Sequence, residues 1–315
     1  MADGTATLAQ MGVARSAAGP RRGGLHRMMR RQSTTAFLLC LPLLALVLGL
    51  MIFPAFYAGW LAMLNKSMER FVGLGNFTFL FQRETFWNVV WQSCIFAITA
   101  VFFKALIGFI LAHLVHVLPT KGQRKWRGML LVPWVMPLAI GTLAWWWLLD
   151  PSYSAFNWVI RAAGGENIAW LGDTFWARFS VILVNVWYGA PFFMIMYLAA
   201  LKSVPEQLYE AAAIDGANAW QKLWHITLPM MRNIISITVL FSLIVTFANF
   251  DIVRILTNGG PRDTTHIFAT YSFALGIGSG DIPLGAAVSL FMFPILGVFA
   301  IFILRGVRRR ADTMG

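Results

Sequence analysis

Charge is what this sequence has least of. Only 12% of its 315 residues are Asp, Glu, Lys or Arg, about half the roughly 25% of soluble globular domains. So few charges cannot cover a surface that faces water. Acids are scarcer than bases, 13 against 25. Cysteine is nearly absent: Cys40 and Cys94 each sit inside an apolar run, which gives no basis for a disulfide framework or a thiolate metal site. The chain also lacks a G-x-x-x-x-G-K-[S/T] phosphate loop, so by that motif it is not its own ATPase. What it has in abundance is apolar bulk, 58% hydrophobic with 26 Phe and 14 Trp. Its main solvent is lipid.

A helix needs about 20 mostly apolar residues to cross the hydrocarbon layer. Six stretches meet that length: Thr35 to Leu61, Val89 to Leu118, Met129 to Leu149, Phe179 to Leu201, Ile234 to Leu256 and Leu284 to Leu304. Membrane-crossing strands, with about 10 residues of alternating pattern, are excluded. The expected fold is an all-α membrane protein of six transmembrane helices, residues 35–304. The prolines inside the stretches (Pro42, Pro54, Pro133, Pro137, Pro191, Pro294) are expected to kink helices and not to end them.

Net charge is +12, and its distribution argues for a membrane rather than nucleic acid. The bases form short clusters between apolar runs. The N-terminal segment, the second and fourth connections and the C-terminal tail hold seventeen Lys and Arg, against seven on the other side. Both termini are therefore expected in the cytoplasm, as an even number of crossings requires. Residues 1–34 have the Gly, Ala, Ser and Arg composition of a flexible basic arm, and residues 305–315 that of a basic tail. The first apolar run exceeds the roughly 7–15 residues of a signal-peptide core, so it is expected as a retained anchor. The Arg30-Arg31 pair beside it fits a cytoplasmic positive flank better than a twin-arginine signal.

The fourth connection, Lys202 to Asn233, is more than a loop. Ser203, Pro205 and Glu206 have the spacing of a capped helix start. Gln207 to Ala213 are helix formers, and Gly216 is placed to end the turn. A second short helix is expected over Ala217 to Ile226, closed by Leu228-Pro229. An interfacial hairpin lying on headgroups is one account of this knob. Against it, Glu210-Ala211-Ala212-Ala213 puts small side chains where a membrane-bound face needs bulk, which suits close approach to another protein.

The run Glu210-Ala211-Ala212-Ala213-Ile214-Asp215-Gly216-Ala217, with Ile226-Thr227-Leu228-Pro229 following Gly216 after nine intervening residues, resembles the EAA signature of ABC importer permeases. Val204 to Tyr209, Phe71 to Phe77 and Leu256 to Pro261 are similar to the carbohydrate branch of that family, the maltose and glycerol-phosphate type. Asn233 departs from it where relatives often carry Pro. The resemblance implies an inner-membrane permease subunit forming half of a channel in a bacterial plasma membrane. It implies a homologous second permease, two copies of an ATPase subunit that hold ATP and Mg, and an extracytoplasmic protein that delivers a sugar. Glu210, Ala211, Ala212, Asp215, Gly216, Leu228 and Pro229 would then receive the motion of the ATPase. No cofactor is expected in this chain.

Polar side chains at membrane depth usually face the bundle interior or an aqueous path. Ser242, Thr246 and Asn249 are spaced to share one helix face, where hydroxyl and amide groups suit a sugar or bond neighbouring helices. The resemblance matches them to the family's sugar-lining positions, with Thr246 where the maltose-type relative has Asn. It does the same for Tyr188, Gly189 and Phe192 around Pro191, where helix packing is the other account. Lys104 lies about 23 Å from either end of its apolar stretch at 1.5 Å per residue, too deep to snorkel. It either pairs or stays neutral inside the bundle, or, with Arg254 near the outer mouth, favours an anionic solute.

Other features carry less. His113 and His116 lack further metal-ligating neighbours and are expected as interfacial histidines. Asp150, Asp173, Asp263 and Asp281 are expected as solvated loop acids. No nucleophile and base come together, so catalysis is not expected. Two rival classes remain: an ion-gradient transporter, which uses Lys104 and Asp251 but leaves the knob unexplained, and a membrane scaffold that signals without moving solute.

Overall fold

The computed structural model describes residues 32–311; the expected flexible arm lies outside the described residues apart from its last three positions. Among the described residues every regular element of any length is helical, and five helices are long and apolar enough to cross a membrane: Leu39–Leu61, Glu84–His116, Thr174–Lys202, Ala219–Phe247 and Ile282–Ile303. The described residues up to Phe56 form one compact unit and those from Tyr57 a second. The first contains α1 (Gln32–Val47), a π-helical turn over Leu48–Ile52, and the start of α2 (Phe53–Leu61). Its side chains from Leu39 onward are exposed, as lipid-facing ones are.

The second unit is built around α4 (Glu84–His116), which follows the short α3 (Gly75–Phe81), and α9 (Thr174–Lys202), which follows the short α8 (Ala155–Ala162). Asp173 starts α9 by accepting from the backbone N–H of Phe175 at 2.9 Å and of Trp176 at 3.1 Å. The two helices run side by side in the same direction: Lys104 faces Gly189, and Gly108 faces Phe193. Ala97, Ala100, Gly108 and Ala112 on α4 are buried, so small residues let the backbones approach. A Cβ at Gly108 would stand 2.3 Å from Phe193 Cβ and 3.0 Å from Met194 N. The opposite face of α4 leaves Phe102, Ile110 and Leu114 exposed, which suits a hydrocarbon surround and not water.

Three expectations need correction. The stretch Met129–Leu149 is not one helix. It divides among the end of α5 (Thr120–Leu130), α6 (Val132–Val135) and α7 (Leu138–Leu148). Pro133 opens α6, and Met136, immediately before Pro137, takes an extended conformation at φ −65°, ψ 137°. A residue before proline is driven out of the helical region by the ring, so here prolines end helices. Proline is carried inside the helix at Pro42 and Pro191.

The fifth stretch is shifted as well. Its helix ends at Phe247, and Asp251–Leu256 forms a separate α13. The connection after it holds an unexpected apolar helix, α14 (Phe268–Phe273), prolonged by a π-turn over Ala274–Gly278. The last stretch is spanned as expected by Ile282–Ile303, with a single turn residue, Phe291, between α15 (Ile282–Leu290) and α16 (Met292–Ala311). The loop acids are not merely solvated. Asp281 Oδ1 accepts from Leu284 N at 3.1 Å, Asp150 Oδ1 from Ser152 N at 2.8 Å, and Asp263 lies 3.5 Å from His266. Short acidic side chains belong at such turns because they satisfy orphan N–H groups.

Candidate solute site and coupling segment

Two groups of side chains meet on neighbouring faces of α9. The first is polar. Lys104, 5% exposed, sends its Nζ to Thr246 Oγ1 at 2.8 Å and to Ser242 Oγ at 3.4 Å, both on α12 (Leu228–Phe247). Gly189 makes room for it: a Cβ there would stand 2.6 Å from Lys104 Cδ. Among the described residues no acid lies within ion-pair distance of this ammonium. Asn185, one turn before Gly189, is buried with an Oδ1 that accepts no hydrogen bond among the described residues. An unpaired buried acceptor is costly, which sets Asn185 apart from the apolar residues around it.

The second group is aromatic. Trp134 on α6 stacks on Phe192 at a centroid distance of 5.0 Å and lies 5.4 Å from Tyr188. Phe192 also meets Phe241, the residue before Ser242, at 5.4 Å. Tyr188, Phe192 and Trp134 are all half-buried. The proline break between α6 and α7 is what brings Trp134 to α9. A wall of rings beside hydroxyl and amide groups presents an apolar face and hydrogen-bonding partners together, which is what the two sides of a sugar ring require.

The structure thus gathers Lys104, Gly189, Ser242 and Thr246 in one cluster and Tyr188 and Phe192 in the other. Asn249 belongs to neither. It lies beyond the end of α12, and its Oδ1 accepts from Ile252 N at 3.3 Å. The regular spacing that put it on the Ser242 face ends with the helix at Phe247. Trp134 and Asn185 are the additions, and an unpaired amide inside an apolar helix was the available signal for Asn185.

The segment expected to couple to the ATPase begins at the end of α9. Its first helix, α10 (Glu206–Ile214), follows an extended Pro205. The expected capping box is not made, because Ser203 Oγ donates backwards to Ala200 O at 2.7 Å. Gly216 does end the helix, at φ +75°, with Ala217 N donating to Ala212 O at 2.8 Å. The second helix differs from expectation. It starts at α11 (Ala219–Lys222), where Asn218 and Gln221 complete a capping box. It then passes through a π-turn over Leu223–Thr227 directly into α12. Leu228-Pro229 does not close it, since the widened turn accommodates a proline at the start of α12.

The two halves are tied by Tyr209 Oη and Thr227 Oγ1 at 2.9 Å. Glu210, Ala211, Asp215 and Gly216 are exposed, and Ile214, Trp220 and Trp224 add exposed apolar surface. A cavity of about 490 Å³ lies between this segment and the end of α4, lined by His113, His116, Tyr209, Trp220 and Lys222. The two histidines therefore face the segment.

Residues 104–312 match the family described as binding-protein-dependent transport system inner membrane component. The trehalose/maltose transport system permease protein MalF of Thermococcus litoralis is 30% identical over 291 residues, covering 91% of this chain and 98% of that protein. The maltose/maltodextrin transport system permease protein MalF of Escherichia coli K12 is 32% identical over 255 residues, covering 76% of this chain. The chain spans about half the length of that relative, 50%. Among solved structures, a chain of the bacterial alginate ABC transporter in complex with alginate pentasaccharide-bound periplasmic protein superposes with a TM-score of 0.79. It is 24% identical and covers 90% of this chain and 97% of its own.

Proposed function

The chain belongs to the family of binding-protein-dependent transport system inner membrane components, and on that premise we propose that it is the permease subunit of an ATP-driven importer of a sugar or sugar derivative. The observation that carries the sugar reading is the aromatic wall of Trp134, Tyr188 and Phe192 standing beside the Lys104–Ser242–Thr246 cluster on the same stretch of α9. The names of the maltose and trehalose relatives support the same solute class.

In this proposal the chain crosses the inner membrane six times, with the broken 129–149 stretch as the third crossing and both termini in the cytoplasm. It forms half of the pathway, the other half coming from a homologous permease. An extracytoplasmic binding protein delivers the solute. Two ATPase subunits, which hold ATP and Mg, dock on the exposed surface around Glu210 and Gly216. Because α11, the π-turn and α12 are one continuous helix, movement of the docked segment is carried to Ser242 and Thr246 without an intervening hinge. Catalysis then resides in the ATPase, and this chain supplies the path and the lever.

Lys104 favours a second reading of the same site, in which the sugar carries an anionic group that supplies the missing counter-charge. Uptake of charged and uncharged sugars in Lys104→Met separates the two readings, since equal loss of both rejects charge selection.

The test of the main proposal is solute uptake by the assembled complex in sealed vesicles. Uptake is expected only with ATP and binding protein. Glu210→Arg and Gly216→Trp are expected to leave ATP hydrolysis running without transport. ATP-independent uptake by the chain alone would indicate a gradient-driven carrier, and sugar binding without accumulation a scaffold.

A further inference from the structure

Helix α5 (Thr120–Leu130) joins the end of the α4 span to the broken stretch that follows, so it lies at the edge of the apolar layer. Its roll is fixed by one side chain. Gln123 is buried, and its Nε2 donates to His116 O at 3.0 Å and Leu118 O at 2.9 Å, binding the inner face of α5 to the end of α4. Arg127 folds back along the helix, its Nε donating to Gln123 O at 3.2 Å.

With that face turned inward, the remaining residues divide into two exposed flanks. Lys121, Arg124 and Lys125, at spacings of three and four, form a cationic flank. Trp126 and Met129, 47% and 54% exposed, form an apolar one. No acid occurs between Glu84 and Asp150. Among the described residues none of the three cations has an ion-pair partner.

From this arrangement we propose that α5 is a binding surface for anionic phospholipid headgroups. Trp126 and Met129 enter the acyl boundary while Lys121, Arg124 and Lys125 hold phosphates above it. The charge pattern selects this occupant. A protein partner for three unpaired cations would have to bring acids and also cover Trp126 at the depth of the bilayer edge, whereas an anionic monolayer offers both chemistries at the right spacing. The inference goes beyond the importer reading and needs only that α4 spans the bilayer. The bound lipid would brace the α4–α5 corner beside the cavity that faces the coupling segment.

The test places a fluorophore on Trp126→Cys in the full chain, with Cys40 and Cys94 replaced by Ser, reconstituted in phosphatidylcholine vesicles. Spin-labelled phosphatidylglycerol or spin-labelled phosphatidylcholine is added at the same mole fraction. Quenching by the glycerol lipid is expected to be at least roughly fivefold stronger, the preference that one of the three cations near the surface would supply by itself. It should fall to the phosphatidylcholine level in Lys121→Gln/Arg124→Gln/Lys125→Gln and return in Lys121→Arg/Lys125→Arg. Thermal unfolding in phosphatidylcholine, unchanged among these variants, shows that each has folded. Equal quenching by both lipids, or a preference that survives neutralisation, overturns the proposal. Quenching by neither lipid also overturns it, since α5 would then face water or another protein.

Discussion

The α9 backbone at Gly189 lies directly on the methylene stem of Lys104, leaving 2.6 Å where a Cβ would meet Lys104 Cδ and 3.0 Å where it would meet Cε. The glycine gives a long cationic side chain a course between two tightly packed helices to reach a third. Lys104 on α4, Gly189 on α9 and Thr246 on α12 are therefore one unit, and a change at any of them is felt at the others.

That coupling is measurable in a double-mutant cycle. Gly189→Ala should destabilise by about 1–3 kcal/mol, the usual cost of overpacking a core. The obstacle is the flexible stem of Lys104 and not backbone, so Lys104→Ala should remove most of that cost. Thermal unfolding of the purified chain and its single and double variants reads the interaction. If Gly189→Ala costs as much in the Lys104→Ala background as alone, the clash lies elsewhere.

Thr246 offers a narrower test of the same cluster. Thr246→Val keeps the shape and removes the oxygen that lies 2.8 Å from Lys104 Nζ, leaving only Ser242 at 3.4 Å. A loss of about 1–2 kcal/mol is expected, in the range for hydrogen bonds within membrane bundles. Thr246→Ser should recover most of it, and Ser242→Ala should cost less than Thr246→Val. A larger effect at Ser242 would mean that the lysine head points elsewhere.

Two glycines separate packing from propensity. At Gly108 a Cβ would press on Phe193 Cβ and on the backbone of Met194, neither of which can turn aside. Gly128, in α5, has nothing within 4 Å. Gly108→Ala should therefore lower stability by about 1–3 kcal/mol or more, while Gly128→Ala should be neutral or raise it by up to about 1 kcal/mol on helix propensity. Unfolding midpoints of the two variants are compared directly, and similar values for both would contradict the tight α4–α9 seam.

Much of this was legible in the sequence, for physical reasons that differ by element. The uninterrupted runs that became α4 and α9 could only be helices in lipid; their C-terminal ends were legible to within two residues, while both helices start five residues before the apolar run does. Gly216 was readable because a helix end needs a residue that tolerates positive φ. The broken stretch at Met129–Leu149 was not, since proline inside a membrane helix either bends it, as at Pro191, or ends it, as at Pro137, and only the neighbours decide. Spacing put Ser242 and Thr246 on one face correctly but carried Asn249 too far, because the pattern does not announce where a helix stops. Lys104 was conspicuous as a deep charge, yet its partners, 138 and 142 residues away, are a matter of packing. Trp134, one of 14 tryptophans, had nothing to distinguish it.

The loop after α13 carries a pH dependence whose sign follows from its packing. His266 is buried beneath Gly259, where a Cβ would stand 2.2 Å from its ring, and its Nδ1 meets Thr270 Oγ1 at 3.0 Å. Burial holds its pKa below the ordinary value. The carboxylate of Asp263, 3.5 Å away, opposes that shift, and the Arg254 guanidinium reinforces it. The unfolded loop therefore takes up its proton first, near the ordinary histidine value of about 6.5. The histidine's contribution is complete above that value and is lost progressively as the pH falls through the window below it. Amide exchange across residues 259–267 should accordingly quicken as the pH is lowered through about 6.5, after correction for intrinsic exchange rates. His266→Asn, which cannot titrate there, should flatten that response, and Gly259→Ala should loosen the loop at every pH. Protection that rises on acidification would mean that the Asp263 contact outweighs burial and that the ring is charged in the folded loop.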